Sequence, residues 1–521
     1  MTATEFTRER RRPQVASLVV HVGGATLGLL AVGIVISAAV EAGAGGTHVH
    51  ELLVSAAVVG VVGAVLWWTT TIPDRTTAGA TFVAVGGTWL FAAAGGAVPY
   101  LLCDTFPTVD DALFESISGF TGTGSTVMAD IEANPRGILF WRNMTQWFGG
   151  TGMVVLAVAV LPFLGSGGME LLRAEAPGPS ADRLAPRVSE TAKRLWFVYG
   201  GFTVVAIGAL AAVGMSPFDA VTHAFTVVST GGLSPYNNSI GAFDSLAVEL
   251  VLIVLMLYGA TSMTLHYAFL TGDRRAYLRS TMFRYYIAAF AVCTVAIAGL
   301  LMWHDGFGFG QALRDASFNV ATLLSSTGFG TADYVQWTAA AQLILLGLMV
   351  TGGMAGSTAG GLKLIRFRIL TRFAAREVSR IRHPSGVHVV RLDDDVIPDP
   401  IVQRVVGYTL FYVVFIATGT LVVAMLGGGV AESVGAATSV MGNMGPAFGE
   451  AGPASNFLVF ERPARAVLAV MMLAGRLEIL PVMFVVLRLT RSIRPAGRRA
   501  RYRARRRMGR EAAMTLDGGP G

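Results

Sequence analysis

Apolar residues run along this chain in blocks of about twenty or more, long enough to cross the roughly 30 Å hydrocarbon core of a bilayer as helix. They predict ten membrane spans, over 16–42, 50–71, 79–102, 138–164, 194–214, 244–270, 285–303, 337–370, 401–427 and 464–489. The first block is longer than the apolar part of a signal peptide and runs at once into the second. It reads as a true helix and not as a cleaved leader.

The polar breaks between blocks are not alike. Four of them share one grammar, "ALFESISGFTGTGSTV", "PFDAVTHAFTVVSTGGLSPY", "ALRDASFNVATLLSSTGFGTADY" and "ESVGAATSVMGNMGPAFGEAG": a short helical run that ends in small or hydroxylated residues and glycine. Aligned by that ending, Gly124, Gly231, Gly328 and Gly445 lie 107, 97 and 117 residues apart. A unit of about a hundred residues is too long for a solenoid and suits a four-fold pseudosymmetric pore. Ser216, Pro217 and Asp219 supply an N-cap, a first-turn proline and a capping carboxylate, and Asp110, Asp111 and Glu432 put negative charge at comparable helix starts. A run of ten to fifteen residues cannot span, so the chain is expected to turn back at membrane depth, where irregular backbone is tolerated only if it lines a cavity or is buried in protein. Glycine beside threonine or serine lets carbonyls and hydroxyls turn toward an axis and replace the water around a cation. The bland alternative is that these small residues only let helices pack closely.

Composition agrees with the pattern: 521 residues, 53% hydrophobic and 14% charged, with mean hydropathy +0.58. With the N-terminus inside, 34 of the 40 Lys and Arg fall in the segments expected on the cytoplasmic side. Arg136, Arg142, Arg314, Arg462 and Arg465 are counted outside. This asymmetry orients both termini to the cytoplasm. The basic tail "RPAGRRARYRARRRMGR" follows a span and reads as an anchor to anionic lipid, not as a nucleic-acid site. Cys103 and Cys293 form neither a disulfide framework nor a CxxC pair.

Two features need separate accounts. "GLMVTGGMAGSTAGGLKLIRF" places Gly352, Gly353, Gly356, Gly360 and Gly361 in one predicted span, each costing roughly 1 kcal/mol in a helix interior. A continuous helix is not expected there, and GxxxxGK[ST] fails because Leu362 separates Gly361 from Lys363. Arg476, in "MMLAGRLEILPV", is an intramembrane charge that faces either a wet cavity or a partner on another helix. His48, His50 and Glu51 in "HVHE" read as a solvated loop before a metal cluster, and His223 and His266 as packing histidines. No HExxH, nucleophile elbow or dinucleotide fingerprint is present. An intramembrane enzyme would need a nucleophile or base beside Arg476, and a scaffold would not need four re-entrant segments.

The stretches "FESISGFTGTGSTV", "RNMTQWFGGTGMVVLAVAVLPFLGSGGMELLRAE", "STGGLSPYNNSIGAFDS", "STGFGTADYVQWTAAAQ", "GGMAGSTAGGLKLIRF", "NMGPAFGEAGP" and "MLAGRLEILPV" resemble the Trk/Ktr/HKT superfamily of potassium uptake proteins, and the TrkH type within it, over about 50 to 490. The resemblance implies a potassium-binding filter made by Thr121, Gly122, Thr123 and Gly124, by Thr230 and Gly231, by Thr327 and Gly328, and by Asn443, Met444 and Gly445. Relatives usually carry threonine where this chain has Gly122. The resemblance further implies a gate loop containing Gly352, Gly353, Gly356, Ser357, Thr358, Gly360 and Gly361, and a pore charge at Arg476. It implies a homodimer in the plasma membrane of a prokaryote and a cytosolic TrkA-like ring that binds the nucleotide. The chain itself is expected to hold no cofactor, potassium being its substrate.

The expected architecture is an all-α polytopic membrane protein of about ten transmembrane helices, with four pseudo-repeats of outer helix, re-entrant pore helix, filter loop and inner helix around one central pore. Its divisions are a cytoplasmic N-terminus (1–15), two extra helices (16–78), repeats over 79–192, 193–284, 285–400 with the gate loop and a cytoplasmic linker, and 401–491, and a basic tail (492–521). The expected function is potassium uptake as the ion-conducting subunit of a Trk-type system. The alternatives are a sodium-permeable or weakly selective member of the superfamily, or the potassium-binding subunit of an ATP-driven pump.

Overall fold

The computed structural model describes residues 3–71, 78–160, 188–383, 386, 388–392 and 395–477. It opens with a pair of long helices, α1 (Ala3–Gly43) and α2 (Val49–Trp68). They approach closely where neither carries a side chain: a Cβ on Gly24 would lie 2.7 Å from the Gly63 carbonyl oxygen, and one on Gly63 would lie 2.9 Å from that of Gly24. Small residues bring helix backbones together in this way where lipid offers no competing hydrophobic drive.

Four units follow, each with a long helix, a half-length helix, a loop and a second helix. The first has α3 (Ala78–Leu102), α4 (Val109–Thr121) and α5 (Arg136–Val160). The second has α6 (Val188–Ala212), α7 (Pro217–Val228), α8 (Leu246–Gly259) and α9 (Met263–Leu270). The third has α10 (Thr281–His304), α11 (Phe309–Leu324), α12 (Ala339–Thr351) and α13 (Leu364–Arg382). The fourth has α14 (Asp399–Met425), α15 (Val430–Gly442) and α16 (Arg462–Arg476). The half-length helices α4, α7, α11 and α15 contain 13, 12, 16 and 13 residues. At about 1.5 Å per residue none reaches across a hydrocarbon core of about 30 Å.

Among the described residues, six helices are long and apolar enough to span: Ala16–Gly43, Val49–Trp68, Val83–Leu102, Lys193–Ala212, Thr281–His304 and Asp399–Met425. The α8–α9 pair makes a seventh if counted as one. The chain is an all-α polytopic membrane protein; among the described residues the one exception is a small antiparallel ribbon of Val390–Leu392 with Asp395–Ile397, which buries Val390, Leu392 and Ile397. Large apolar side chains such as Val61, Val204, Val295, Leu421 and Met425 stay exposed on the long helices, as a lipid-facing surface requires. Trp68 and Trp303 stand exposed at helix ends, where amphipathic rings suit the membrane interface.

The remaining predicted spans differ for identifiable reasons. The one over 244–270 is not a single helix: its two halves meet at 98° across a break after Gly259. The one over 337–370 is interrupted between Thr351 and Leu364, as its glycines imply. Those over 138–164 and 464–489 are described only as far as Val160 and Leu477. In α5, Arg142, Asn143, Thr145 and Gln146 are all buried, so this helix turns a polar row inward instead of presenting grease all round.

Candidate functional site

Three of the half-length helices, α4, α7 and α15, start where their sequence says they should. Thr108 caps α4, accepting from the Asp111 amide at 3.4 Å and donating to the Asp111 carboxylate at 2.6 Å. Ser216 caps α7 in the same reciprocal way with Asp219, at 3.2 and 2.7 Å, and Glu432 lies in the first turn of α15. Side-chain oxygens thus take amides that have no partner inside the helix.

All four helices end in one backbone motif. The residue in the left-handed region is Gly122 (φ 65°), Thr230 (53°), Ser326 (56°) and Asn443 (52°). Its amide donates three residues back, to Gly119, Val227, Leu323 and Val440, and the next amide donates five back: Thr123 to Ser118, Gly231 to Thr226, Thr327 to Thr322 and Met444 to Ser439. This is the Schellman ending, which closes a helix and sends the chain off at an angle. Thr230, Ser326 and Asn443 adopt it without being glycine, at roughly 1–3 kcal/mol of strain each, and their side chains are tied down. The Ser326 Oγ accepts from the Gly360 amide at 2.6 Å. Thr230 donates to its neighbour Ser229's carbonyl at 2.7 Å and to Thr358 Oγ1 at 3.3 Å. Asn443 Nδ2 donates to Thr123 Oγ1 at 2.9 Å and to the Met472 carbonyl at 3.0 Å.

Two residues further on, a second positive φ recurs at Gly124 (85°), Gly232 (75°), Gly328 (86°) and Gly445 (93°). The four segments close on one another in cyclic order. A Cβ on Gly124 would collide with the Gly231 carbonyl oxygen, one on Gly232 with that of Thr327, one on Gly328 with that of Met444, and one on Gly445 would lie 2.9 Å from that of Thr123. Ser125 Oγ joins the first and fourth segments by donating to the Gly445 carbonyl at 2.9 Å. The four glycines also line one cleft, with Ser125, Tyr236 and Asn237 among its other walls.

The backbone therefore corrects the register read from sequence. The counterpart of Gly124, Gly328 and Gly445 is Gly232, while Gly231 occupies the position of Thr123, Thr327 and Met444. Matching "STGG" to "STGF" by threonine and glycine slips the second segment by one residue. The doubled glycine was the available signal. Ser326, likewise unmarked in the sequence, is the left-handed residue of the third segment.

The glycine-rich stretch after α12 lies against this ring. Gly352, Gly356 and Gly361 have positive φ (68°, 73° and 79°), and a Cβ on Gly360 would collide with the Gly442 carbonyl oxygen. Thr358 Oγ1 donates to the carbonyls of Val228, at 3.0 Å, and Gly259, at 3.2 Å. The Met354 amide donates to Ala260 at 3.0 Å, and the Gly356 carbonyl accepts from Met263 at 2.9 Å. The orphan groups at the α8–α9 break are thereby satisfied by this stretch. Ser357 is buried and donates to the Met354 carbonyl, and Gly353 packs against Ala359 and Ala260.

Arg476 closes α16 and is 2% exposed. Its Nη1 donates to the Thr358 carbonyl at 2.8 Å and its Nη2 to the Gly149 carbonyl at 3.4 Å. Among the described residues no carboxylate pairs with it. A Cβ on Gly122 would stand 3.6 Å from Nη2, so the guanidinium reaches the end of the first half-length helix. Arg142, counted among the outer charges from sequence, is instead 1% exposed within α5 and bonds Glu115 at 2.6 Å. Arg465 is also largely buried and pairs with Asp111. At the cleft's outer edge, Asn237 Nδ2 donates to the Asp130 carboxylate at 2.9 Å, which holds that carboxyl below its ordinary range. His223 and His266 are buried and bond Ser234 Oγ and the Tyr258 carbonyl, each at 3.0 Å.

Comparison with known proteins gives a consistent picture. A family described as "Cation transport protein", TrkH, matches residues 50–493. The Trk system potassium uptake protein TrkH of Vibrio parahaemolyticus is 37% identical over 407 residues, covering 76% of this chain and 83% of that protein. Its namesake in Escherichia coli K12 is 36% identical over 428 residues, covering 80% and 87%. The crystal structure of the potassium transporter TrkH from Vibrio parahaemolyticus superposes with a TM-score of 0.83 at 32% identity, covering 90% of this chain and 98% of that one.

Proposed function

The chain belongs to the TrkH family of cation transport proteins, and from that premise we propose that it is the ion-conducting subunit of a Trk-type potassium uptake system in a prokaryotic plasma membrane. The observation that carries this reading is the cyclic closure of four identically ended half-length helices on Gly124, Gly232, Gly328 and Gly445. The C-terminal, partially negative ends of α4, α7, α11 and α15 meet there, which favours a cation and disfavours an anion. Backbone carbonyls held by glycines with no room for a Cβ form a fixed set of oxygen dipoles, the element that replaces a monovalent ion's hydration shell.

In this reading the filter is formed by Thr121 to Gly124, Thr230 to Gly232, Ser326 to Gly328 and Asn443 to Gly445. The stretch from Gly352 to Gly361 is the gate, and Arg476 is a positive charge below the filter. The α4, α7, α11 and α15 helices are re-entrant, and the four repeats follow two additional N-terminal helices. Both termini lie in the cytoplasm, as the Lys and Arg bias favours. The membrane part is a homodimer, and a cytosolic TrkA-like ring supplies the nucleotide control.

The deciding experiment is ion flux into liposomes holding the purified protein, with potassium, rubidium, sodium and lithium compared, alone and with the nucleotide-binding partner. Potassium and rubidium are expected to pass in strong preference to sodium and lithium. Equal sodium flux would favour the weakly selective alternative, and no flux of any of the four would sink the proposal.

A further inference from the structure

We infer that Gln146 of α5 serves as the missing side chain of the second filter segment and sets its ion selectivity as a positioning residue. The inference rests on the filter reading above. In the first and third segments the residue before the ring glycine is threonine, and its hydroxyl bonds the hydroxyl two residues earlier: Thr123 with Thr121 and Thr327 with Ser325, each at 2.7 Å. In the second segment the corresponding residue is Gly231. Ser229 stands two residues earlier, but Gly231 has no hydroxyl to offer it, and the Ser229 Oγ donates to the Phe225 carbonyl at 2.8 Å.

Gln146 fills that space. A Cβ on Gly231 would fall among the Cδ, Oε1 and Nε2 atoms of its amide. The amide grips the segment on both sides of Gly232: Nε2 donates to the Gly231 carbonyl at 2.7 Å, and Oε1 accepts from the Leu233 amide at 3.0 Å. Gln146 is fully buried, so water has no access to replace these bonds. A carbonyl and an amide flanking the positive φ of Gly232 are thus fixed by one side chain from another helix. The first and third segments carry a hydroxyl pair of their own at this position. Rigid placement of ligand oxygens bears directly on discrimination between cations of different size, whereas a packing residue would affect only how much protein folds.

The test is the potassium-to-sodium flux ratio in liposomes, measured on Gln146→Ala, Gln146→Met, Gly231→Ala, Gln146→Ala/Gly231→Ala and the swap Gln146→Ala/Gly231→Thr, with flux normalised to folded protein. Gln146→Ala and Gln146→Met are each expected to lower the ratio about tenfold, equivalent to about 1.4 kcal/mol. Gly231→Ala pushes the amide aside and should do the same, so the double alanine variant shows no further loss. The swap offers a threonine to Ser229 in the vacated space and restores the ratio to within about threefold of the parent, since a hydroxyl then holds the segment as in its neighbours. If Gln146→Ala cannot be recovered, the swap and Gln146→Met decide alone. A parental ratio in Gln146→Met, or a swap that is unrecoverable or no more selective than Gln146→Ala, overturns the inference. Gly124→Ser is run alongside: if it leaves the ratio unchanged, the filter reading itself fails, and the fault does not lie with Gln146.

Discussion

Arg476 and Thr358 are joined by a 2.8 Å hydrogen bond from guanidinium to backbone carbonyl, linking the end of the last described helix to the glycine-rich stretch inside the third unit. The same Thr358 accepts from Thr230 through its hydroxyl and donates to Val228 and Gly259. One residue therefore touches the proposed pore charge, the second filter segment and the break between α8 and α9.

That arrangement makes a definite statement about Arg476→Ala. With no carboxylate partner among the described residues, removal does not strand a buried anion, so the loss of about 3–5 kcal/mol that follows breaking a buried ion pair is not expected. The carbonyls of Thr358 and Gly149 lose a donor, at about 1–3 kcal/mol for a buried group left unpaired. Flux should rise, because a positive charge in a narrow, poorly screened path repels the permeating cation. Thermal unfolding and potassium flux on one preparation check this. Severe destabilisation without transport would mean that Arg476 is structural.

Gly124→Ser is expected to weaken discrimination against sodium. Its φ of 85° disfavours any side chain, and the new Cβ would strike the Gly231 carbonyl oxygen, displacing a proposed ligand. The strain of an L-residue there is about 1–3 kcal/mol, so the variant should fold with a modestly lower melting temperature. A parental potassium-to-sodium ratio in folded protein would remove Gly124 from the filter.

Much of this was legible in the chain because it is local. The capping pair Ser216 with Asp219 and the negative charge of Asp111 at a helix start follow from residue type and spacing, and the five glycines after Thr351 announce a broken helix. The break after Gly259 was not legible, since "LYGATSMTL" is apolar enough to read as continuous helix. Its exposed backbone groups are satisfied by residues about a hundred positions later, Met354, Gly356 and Thr358. The place of Gly232 failed for a related reason: φ distinguishes it from Gly231, and composition does not. The burial of Arg142 depends on Glu115, 27 residues away on a different helix, a pairing that no periodicity reveals.

Thr358→Val removes the hydroxyl while keeping its volume, and with it the bonds to Val228, Gly259 and Thr230. If the stretch from Gly352 to Gly361 is a gate, its closed position then loses about 1–3 kcal/mol of hydrogen bonding, and basal potassium flux rises by roughly five- to a hundredfold. Deleting Gly356 to Gly360 should raise basal flux as well, because a segment too short to cover the path cannot block it. Normally folded variants that stay silent would make the stretch a spacer.

The pair Glu115–Arg142 separates stability from selectivity. Glu115 is fully buried and accepts from Arg142 at 2.6 Å, from Thr126 at 2.9 and 3.0 Å and from the Val127 amide at 3.0 Å, while Arg142 Nη1 donates to the Ser234 carbonyl at 2.8 Å. It thus ties down the chain just beyond Gly124 and just beyond Gly232. Glu115→Gln leaves a buried guanidinium without its counter-charge and is expected to lose about 3–5 kcal/mol of stability. Glu115→Gln/Arg142→Met removes both charges, so most of that stability should return. The anchor to Ser234 does not return, and the double variant should remain less selective for potassium than the parent. Thermal unfolding with paired potassium and sodium flux distinguishes the two effects. A double variant with parental selectivity would reduce the ion pair to a packing element, and a Glu115→Gln protein as stable as the parent would contradict the charge argument altogether.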